Sequence, residues 1–387
     1  MPLVSIIIPV YDAECFLAPA IASILAQTHR NLEIIIINDG STDNSSSVLR
    51  RFEALDDRIR LIERNNLGLI DTLNEGIGLA RGDFVARMDA DDISYPDRIA
   101  AQLQAFDADP SLAMCGCNFD TIISGQRLAE PHVPEFTDSH NLRVLSRFCT
   151  ILRHPSVMFR RSRIPDDLFH FDASYPCAED FDIFRRIASR CTVAQLPQPL
   201  LAYRLHPGSV SETRFDMMAR SHMRIVEENT LEHYPDASGT GFCAIADTVS
   251  AETVDAAASF VRKLDHLAQA QPESDQDAFE VGRKVNFYFL YALISRSGRY
   301  DLAHTFVEHS GRWDLIRRRE HSLLKSASAA PRLAALGYDA INTQARIVRW
   351  LKGRNLRQVI PQFGKIMAAA HGTAVDPTAE NVLNGRV

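Results

Sequence analysis

The stretch FVARMDADDIS, Phe84–Ser94, sets three carboxylates, Asp89, Asp91 and Asp92, directly behind a short apolar run. Like charges this close repel, and desolvation deepens the cost unless a cation or hydrogen-bond donors offset it. Asp92 has a plain reading: with Ser94 and Pro96 it turns the chain and caps a helix from Asp97, DRIAAQLQAFDA. Asp89 and Asp91 have no such use. Their spacing suits a divalent cation, magnesium or manganese, which in turn bridges to phosphates. A calcium loop is excluded, since Tyr95 follows Ser94 and no glycine supplies the sharp turn.

Working outward from this cluster, the preceding run DFVARM reads as a fourth strand in an α/β rhythm. VSIIIPV opens it and a helix follows over about 16–26. LEIIIIND is apolar on both faces, as a central parallel strand must be, and Ser41 or Thr42 then opens a helix through DNSSSVLRRFEAL. IRLIE, the helix LIDTLNEGIGLA and DFVARM complete the series. The carboxylates thus fall at the carboxyl end of a strand, the edge where open α/β sheets bind ligands. GIGLARG matches a loose dinucleotide glycine pattern but ends a helix instead of opening one. Between Leu112 and Arg204 short strands (LAMCGC, HPSVMFRR, LLAYR) surround a helix from Glu179 to Arg190. From about Thr213 strand signals vanish, which predicts an α/β domain over 1–214 and an all-helical domain over 215–387.

Composition agrees with a folded chain of two domains: 387 residues, 46% hydrophobic and 24% charged. A formal charge of -7 argues against a dedicated nucleic-acid binder. The seven cysteines are scattered, and Cys115-Gly116-Cys117 is neither a zinc knuckle nor a redox pair, so reduced thiols in a cytoplasmic protein are expected. No basic residue precedes the first apolar run, so it is a strand and not a signal peptide. The later run VNFYFLYALI is far short of the roughly 20 residues that span a bilayer.

Five stretches in order, VSIIIPVYDAECFLAPAIASILAQTHRNLEIIIINDGSTDNS, RNNLGLIDTLNEGIGLARGDFVARMDADD, HPSVMFRR, AEDFDIFRR and YRLHPGSVS, carry a resemblance to the family 2 glycosyltransferases of GT-A fold, over about the first 215 residues. The resemblance implies a metal-dependent, inverting transfer of a sugar from a nucleoside diphosphate, UDP foremost, to a hydroxyl of a glycan or lipid-linked acceptor in bacterial polysaccharide assembly. It implies donor contacts from Pro9, Tyr11, Asp39, Arg64 and Asp89. Tyr11 would lie by the uracil ring and Asp39 would accept from its N3–H, a pairing that a carboxylate makes with an imide donor. Asp91 and His206 would hold Mn2+ or Mg2+. Asp180 would be the general base, with Glu179 in a positioning or acceptor-binding role. Physical chemistry adds that the start of a helix favours an ionised carboxylate there. His154, Arg160 and Arg161 are expected in the site's architecture.

Two rival readings remain at the level of the sequence. A retaining glycosyltransferase would share the donor half, and an inactive nucleotide-sugar-binding or scaffold protein would need no base. One further expectation comes from the residues alone. Between 341 and 375 the charged side chains are Arg346, Arg349, Lys352, Arg354, Arg357 and Lys365, with no acidic residue among them. Bulky apolar residues are interleaved, which predicts peripheral contact with the inner face of the cell membrane, or else a basic face packed on the helical domain. Neither the oligomeric state nor the identity of the sugar is legible.

Overall fold

A computed structural model describes residues 1–123, 126–128, 136–206, 208, 213–327 and 354–355. Four parallel strands form its heart: β1 (Val4–Val10), β2 (Leu32–Asp39), β3 (Ile59–Arg64) and β4 (Phe84–Arg87). Their spatial order is β4-β1-β2-β3, with Ile7 opposite Ile35 and Arg87. All eight residues of β2 are buried, so the unbroken apolar run is explained by cover on both faces. Because side chains alternate along a strand, Ile6, Ile8, Ile34 and Ile36 enter one core and Ile7, Ile35 and Ile37 the other. The first core packs on α1 (Glu14–Leu25), α2 (Ser45–Leu55) and α4 (Arg98–Ala108). The second packs on α3 (Leu69–Leu79) and α6 (Glu179–Arg190).

Beyond β4 the sheet is mixed. A two-residue strand β5 (Ile93–Ser94) leads into α4, and the long β6 (Leu112–Ile123) carries β7 (Gln126–Leu128) antiparallel at its far end. After α5 (Ser139–Leu145), β8 (Met158–Arg160) runs antiparallel between β4 and β6. β9 (Thr192–Leu205) then lies parallel to β6. Several elements differ from the sequence expectation, β9 among them, which begins at Thr192 and not at Leu200. β6 extends well past Cys117 because Asn118, Asp120 and Thr121, polar residues that disguise it, are buried and bonded; Asp120 accepts from the Tyr95 hydroxyl at 2.7 Å. Helix α2 begins at Ser45, since the Asp12 N–H donates to the Ser41 hydroxyl and the Asp12 carboxylate accepts the Thr42 N–H at 2.6 Å. All seven cysteines are free, and burial pushes the Cys115 and Cys117 thiols up.

The rest of the described chain is helical: α7 (Phe215–His233), α8 (Ala251–Ala268), α9 (Gln276–Arg296), α10 (Tyr300–Ser310) and α11 (Arg318–Ala327). A reciprocal pair of bonds between Ser250 and Thr253 caps α8. Among the described residues no helix is long and apolar enough to cross a membrane. VNFYFLYALI belongs to α9, where Phe287, Leu290 and Ile294 fill the helical core. Of the basic stretch 341–375 only 354–355 is described, as a two-residue strand (β10) antiparallel to β7; the remainder lies outside the described residues.

The helical core does not stop at residue 215. Val144, Phe148, Tyr175, Ala178 and Phe181 belong to it, together with Met223, Phe279, Phe287 and Leu290. Phe181 packs on the His222 ring at 5.0 Å, and His222 stacks on Phe289 at 4.1 Å. A polar clamp joins α6 to α7: Arg185 donates to Glu228 at 2.7 Å and to Asn229 at 2.9 Å, and the Tyr175 hydroxyl donates to Glu228 at 2.8 Å. Phe148 packs edge-on against Phe279 and lies directly over Gly282 of α9.

Gly282 offers a test with a defined sign. In a helix interior alanine ordinarily gains about 1 kcal/mol over glycine. Here a Cβ would run into the Phe148 ring, and overpacking costs about 1–3 kcal/mol. Gly282→Ala should therefore lower the urea midpoint of unfolding; a raised midpoint would refute this packing.

Candidate functional site

Parallel strands bring their carboxyl ends to one edge, so the residues after β1, β2, β3 and β4 become neighbours although far apart in sequence. Tyr11, one residue past β1, is 53% exposed. Pro9, still within β1, sits opposite Ile37. Asp12 follows with φ 46°, left-handed for a residue with a side chain, and its bonds to Ser41 and Thr42 hold it there. Asp39 ends β2, almost fully buried, and accepts from the backbone N–H groups of Leu67 (2.9 Å) and Gly68 (2.8 Å) and from Arg64 (3.0 Å). Gly40 makes this turn possible: φ is 74°, and a Cβ would stand 2.6 Å from the Asn66 nitrogen. Arg64 is largely buried, not an ordinary exposed arginine, and is also bonded to Thr72 at 2.6 Å.

The three aspartates behind β4 have different surroundings. Asp92 is wholly buried; one oxygen accepts the Arg204 N–H at 2.7 Å and the other has no partner. It therefore ties the cluster to β9 and does not cap α4, whose N-cap residue is Asp97. Burial, with Asp91 and Asp89 adding repulsion, pushes its carboxyl up. Asp91 is half-buried and lies 2.9 Å from the His206 Nε2. The His206 ring packs on Phe16 at 4.7 Å. Asp89 is paired with the Arg87 guanidinium, yet burial and Asp91 still raise its carboxyl above the ordinary range. Carboxylate oxygens of all three aspartates lie within 4.8 Å of one another.

Facing them is the start of α6. Ala178 is the N-cap residue, so Glu179 and Asp180 occupy the first turn. Asp180 is half-buried, with its two oxygens accepting from the Phe181 N–H at 2.8 Å and the Thr150 hydroxyl at 3.4 Å. Glu179 points inward, 3.9 Å from the His154 Nδ1. The helix dipole does not keep both ionised. Burial raises each carboxyl, and the Asp180 charge adds to the rise at Glu179, which reaches about 7. His154 is enclosed by Phe171 and Phe184, and burial drives its pKa well down, so it is neutral; its Nε2 has no partner. Arg160 and Arg161 donate to the backbone carbonyls of Pro110 and Ala80, and Arg160 lies over Phe84 and Phe106.

Sequence reasoning missed three arginines. Arg87 is 5% exposed and sits between the two carboxylate groups: it pairs with Asp89, its charge lowers Glu179 and Asp180, and its Nε and Nη1 have no partner. The signal was present, an arginine inside a four-residue buried strand. Arg204 donates from Nε to the Asp91 carbonyl at 2.7 Å, with its guanidinium over Phe16. Arg153 packs against the rings of Phe119 and Tyr203, at 4.4 and 4.8 Å from their centroids, and the two rings meet each other edge-on at 6.0 Å. No local pattern announces either of the last two.

Residues 5–164 match the profile described as "Glycosyl transferase family 2". An uncharacterized glycosyltransferase of Haemophilus influenzae is 32% identical over 59% of this chain and 73% of its own length. Chondroitin synthase of Escherichia coli is 28% identical over 59% of this chain, which spans 33% of that longer protein. Among solved structures, S. aureus TarS 1-349 in complex with UDP-GlcNAc superposes with a TM-score of 0.50 at 16% identity, covering 77% of this chain and 92% of that one, a likeness of fold. Taken with the carboxylate-lined edge of the sheet, these similarities mean that the chain belongs to glycosyl transferase family 2, as a transferase built on the GT-A fold.

Proposed function

We propose that the enzyme moves a sugar from UDP to a hydroxyl of a glycan or lipid-linked acceptor, in one inverting displacement with Asp180 as general base. The observation that carries this reading is the meeting of two carboxylate groups in one cleft. Asp89 and Asp91 come from the end of β4 and Asp180 from the start of α6, close enough for the Asp180 charge to raise Asp89. A donor site and a proton acceptor are the two things that a direct displacement needs. Tyr11 is exposed for stacking on the base. Asp39 has lone pairs beyond its three bonds for the uracil N3–H, with Arg64 and the turn at Gly40 holding it in place.

Asp91 and His206, with Asp89, would hold Mn2+ or Mg2+. The fit rests on hard oxygen donors gathered within 4.8 Å and on an imidazole nitrogen aimed at Asp91. When bound, such an ion supplies charge neutralisation to the departing diphosphate. Asp180 takes the acceptor proton, oriented by Thr150 and the Phe181 N–H. Glu179, buried against neutral His154, positions it. In this reading residues 1–214 carry the transfer and the helical region from 215 braces α6. The basic stretch 341–375 brings the enzyme to the inner membrane face, where a lipid-linked acceptor would lie.

Two outcomes test this. At saturating donor, transfer should fall as pH drops through the Asp180 pKa, which burial places above the ordinary value of about 3.9. Below it the base already carries the proton. Asp180→Asn should lower UDP release by about 10²-fold or more and abolish this acidic limb while UDP affinity holds. An intact limb in the variant would place the base elsewhere. Separately, calorimetric titration of UDP with manganese, and again with EDTA, should show metal-dependent binding that Asp91→Ala removes. Equal affinity in all arms would refute the metal role.

A further inference from the structure

Among the described residues, the arginines around the aspartate cluster are committed to a neighbour, all but one. Arg87 pairs with Asp89, Arg204 donates to the Asp91 carbonyl, Arg64 is held by Asp39 and Thr72, and Arg98 donates to the Arg87 and Pro155 carbonyls. Arg153 is the exception. Its main chain is fixed, since the Ser156 N–H (2.8 Å) and hydroxyl (2.7 Å) both donate to the Arg153 carbonyl. Its guanidinium rests in the corner that the rings of Phe119 of β6 and Tyr203 of β9 make with each other. Yet the side chain is exposed and makes no hydrogen bond or ion pair with any described residue.

Contact of the guanidinium carbon with two rings forms no N–H···O bond, so the donors remain for two oxygens of a carboxylate or phosphate. An ordinary surface arginine must give up rotamer freedom to form such a pair, whereas one packed against two rings has given up part of it beforehand. The surroundings sharpen the point. The Arg153 charge acts on Asp180 and on Tyr203, and Tyr203 also feels Asp89, Asp91 and Asp92. An arginine poised among carboxylates and paired with none of the described ones has its donors left for a ligand.

We propose that Arg153 is the anion-reading group of the acceptor site, taking a carboxylate or phosphate carried by the acceptor beside the hydroxyl that reacts. The assignment to the acceptor rests on reading Asp180 as the acceptor-facing base. Placement beside the base favours it over the donor diphosphate: Thr150, three residues earlier in the chain, donates to Asp180 at 3.4 Å, and the Arg153 charge acts on Asp180. The acceptor is thus an acidic glycan or a phosphate-bearing one, and the neutral sugar of the same shape is a poor substitute.

The test is binding to the full chain loaded with UDP and manganese, using glucose, glucuronic acid and glucose 6-phosphate as probes. At least one anionic probe should bind tenfold or more tighter than glucose, and which one does so separates carboxylate from phosphate. Arg153→Met keeps cover on both rings and removes the fork; it should erase the preference while UDP affinity stays the same. Arg153→Lys should restore part of it. Equal or absent binding of all three probes to the unmodified chain would overturn the proposal, as would a preference that survives in Arg153→Met. A fall in UDP affinity in that variant would assign Arg153 to the donor instead and overturn it too. Because the readout is binding, its failure is distinct from failure of the base assignment, which shows in Asp180→Asn turnover.

Discussion

The buried pairing of Arg87 with Asp89, beside Glu179 and Asp180, is the interaction on which the site depends. Five carboxyl groups converge on one cleft, and repulsion alone would protonate several of them or push the two halves apart. Arg87, placed among them, reduces that cost, and Arg204 beside Asp91 and Asp92 and Arg153 beside Asp180 add to the effect. The location of Arg87 follows from the sheet: it is the last residue of β4, and the neighbouring β1 holds it in register opposite Ile7. The central strand position thus fixes one charge, and that charge lets the flanking loops bring acids together.

Support from the other side comes from the helical region. Glu179 and Asp180 are flanked by Ala178 and Phe181, both buried in the helical core. The first turn of α6 is therefore held by groups on α7 and α9, while its later turns, Ile183, Phe184 and Ile187, pack on the sheet. A helix gripped at both ends by different cores has little freedom to shift its first turn, and a proton acceptor needs that fixity.

Legibility in the sequence followed distance along the chain. Strands β1, β2 and β4 were readable because their apolar runs are local and unbroken. Asp91 and His206 could be placed in one site, although 115 residues apart, because each sits in a short motif of a recognisable family. What escaped were contacts with no local signature. The Asp12 clamp moved the start of α2 from Ser41 or Thr42 to Ser45. The packing of Arg153 on Phe119 and Tyr203 joins three segments that share no pattern. Asn118 and Asp120 hid the second half of β6, since polar residues satisfied inside a sheet look like a turn from the sequence. Phe181 carries no local sign of its burial against His222, which needed the fold.

The shared core around α6 also bears on how such a chain can be recombined. A transplant joined at residue 215 would carry Phe148, Tyr175 and Phe181 to a new host with their apolar faces bare, and Arg185 without its Glu228 and Asn229 partners. A graft keeps its chemistry only if the incoming helices reproduce that surface. The seam that evolution or an engineer can cut lies along the buried face of α6, not at the point where the strand pattern ends.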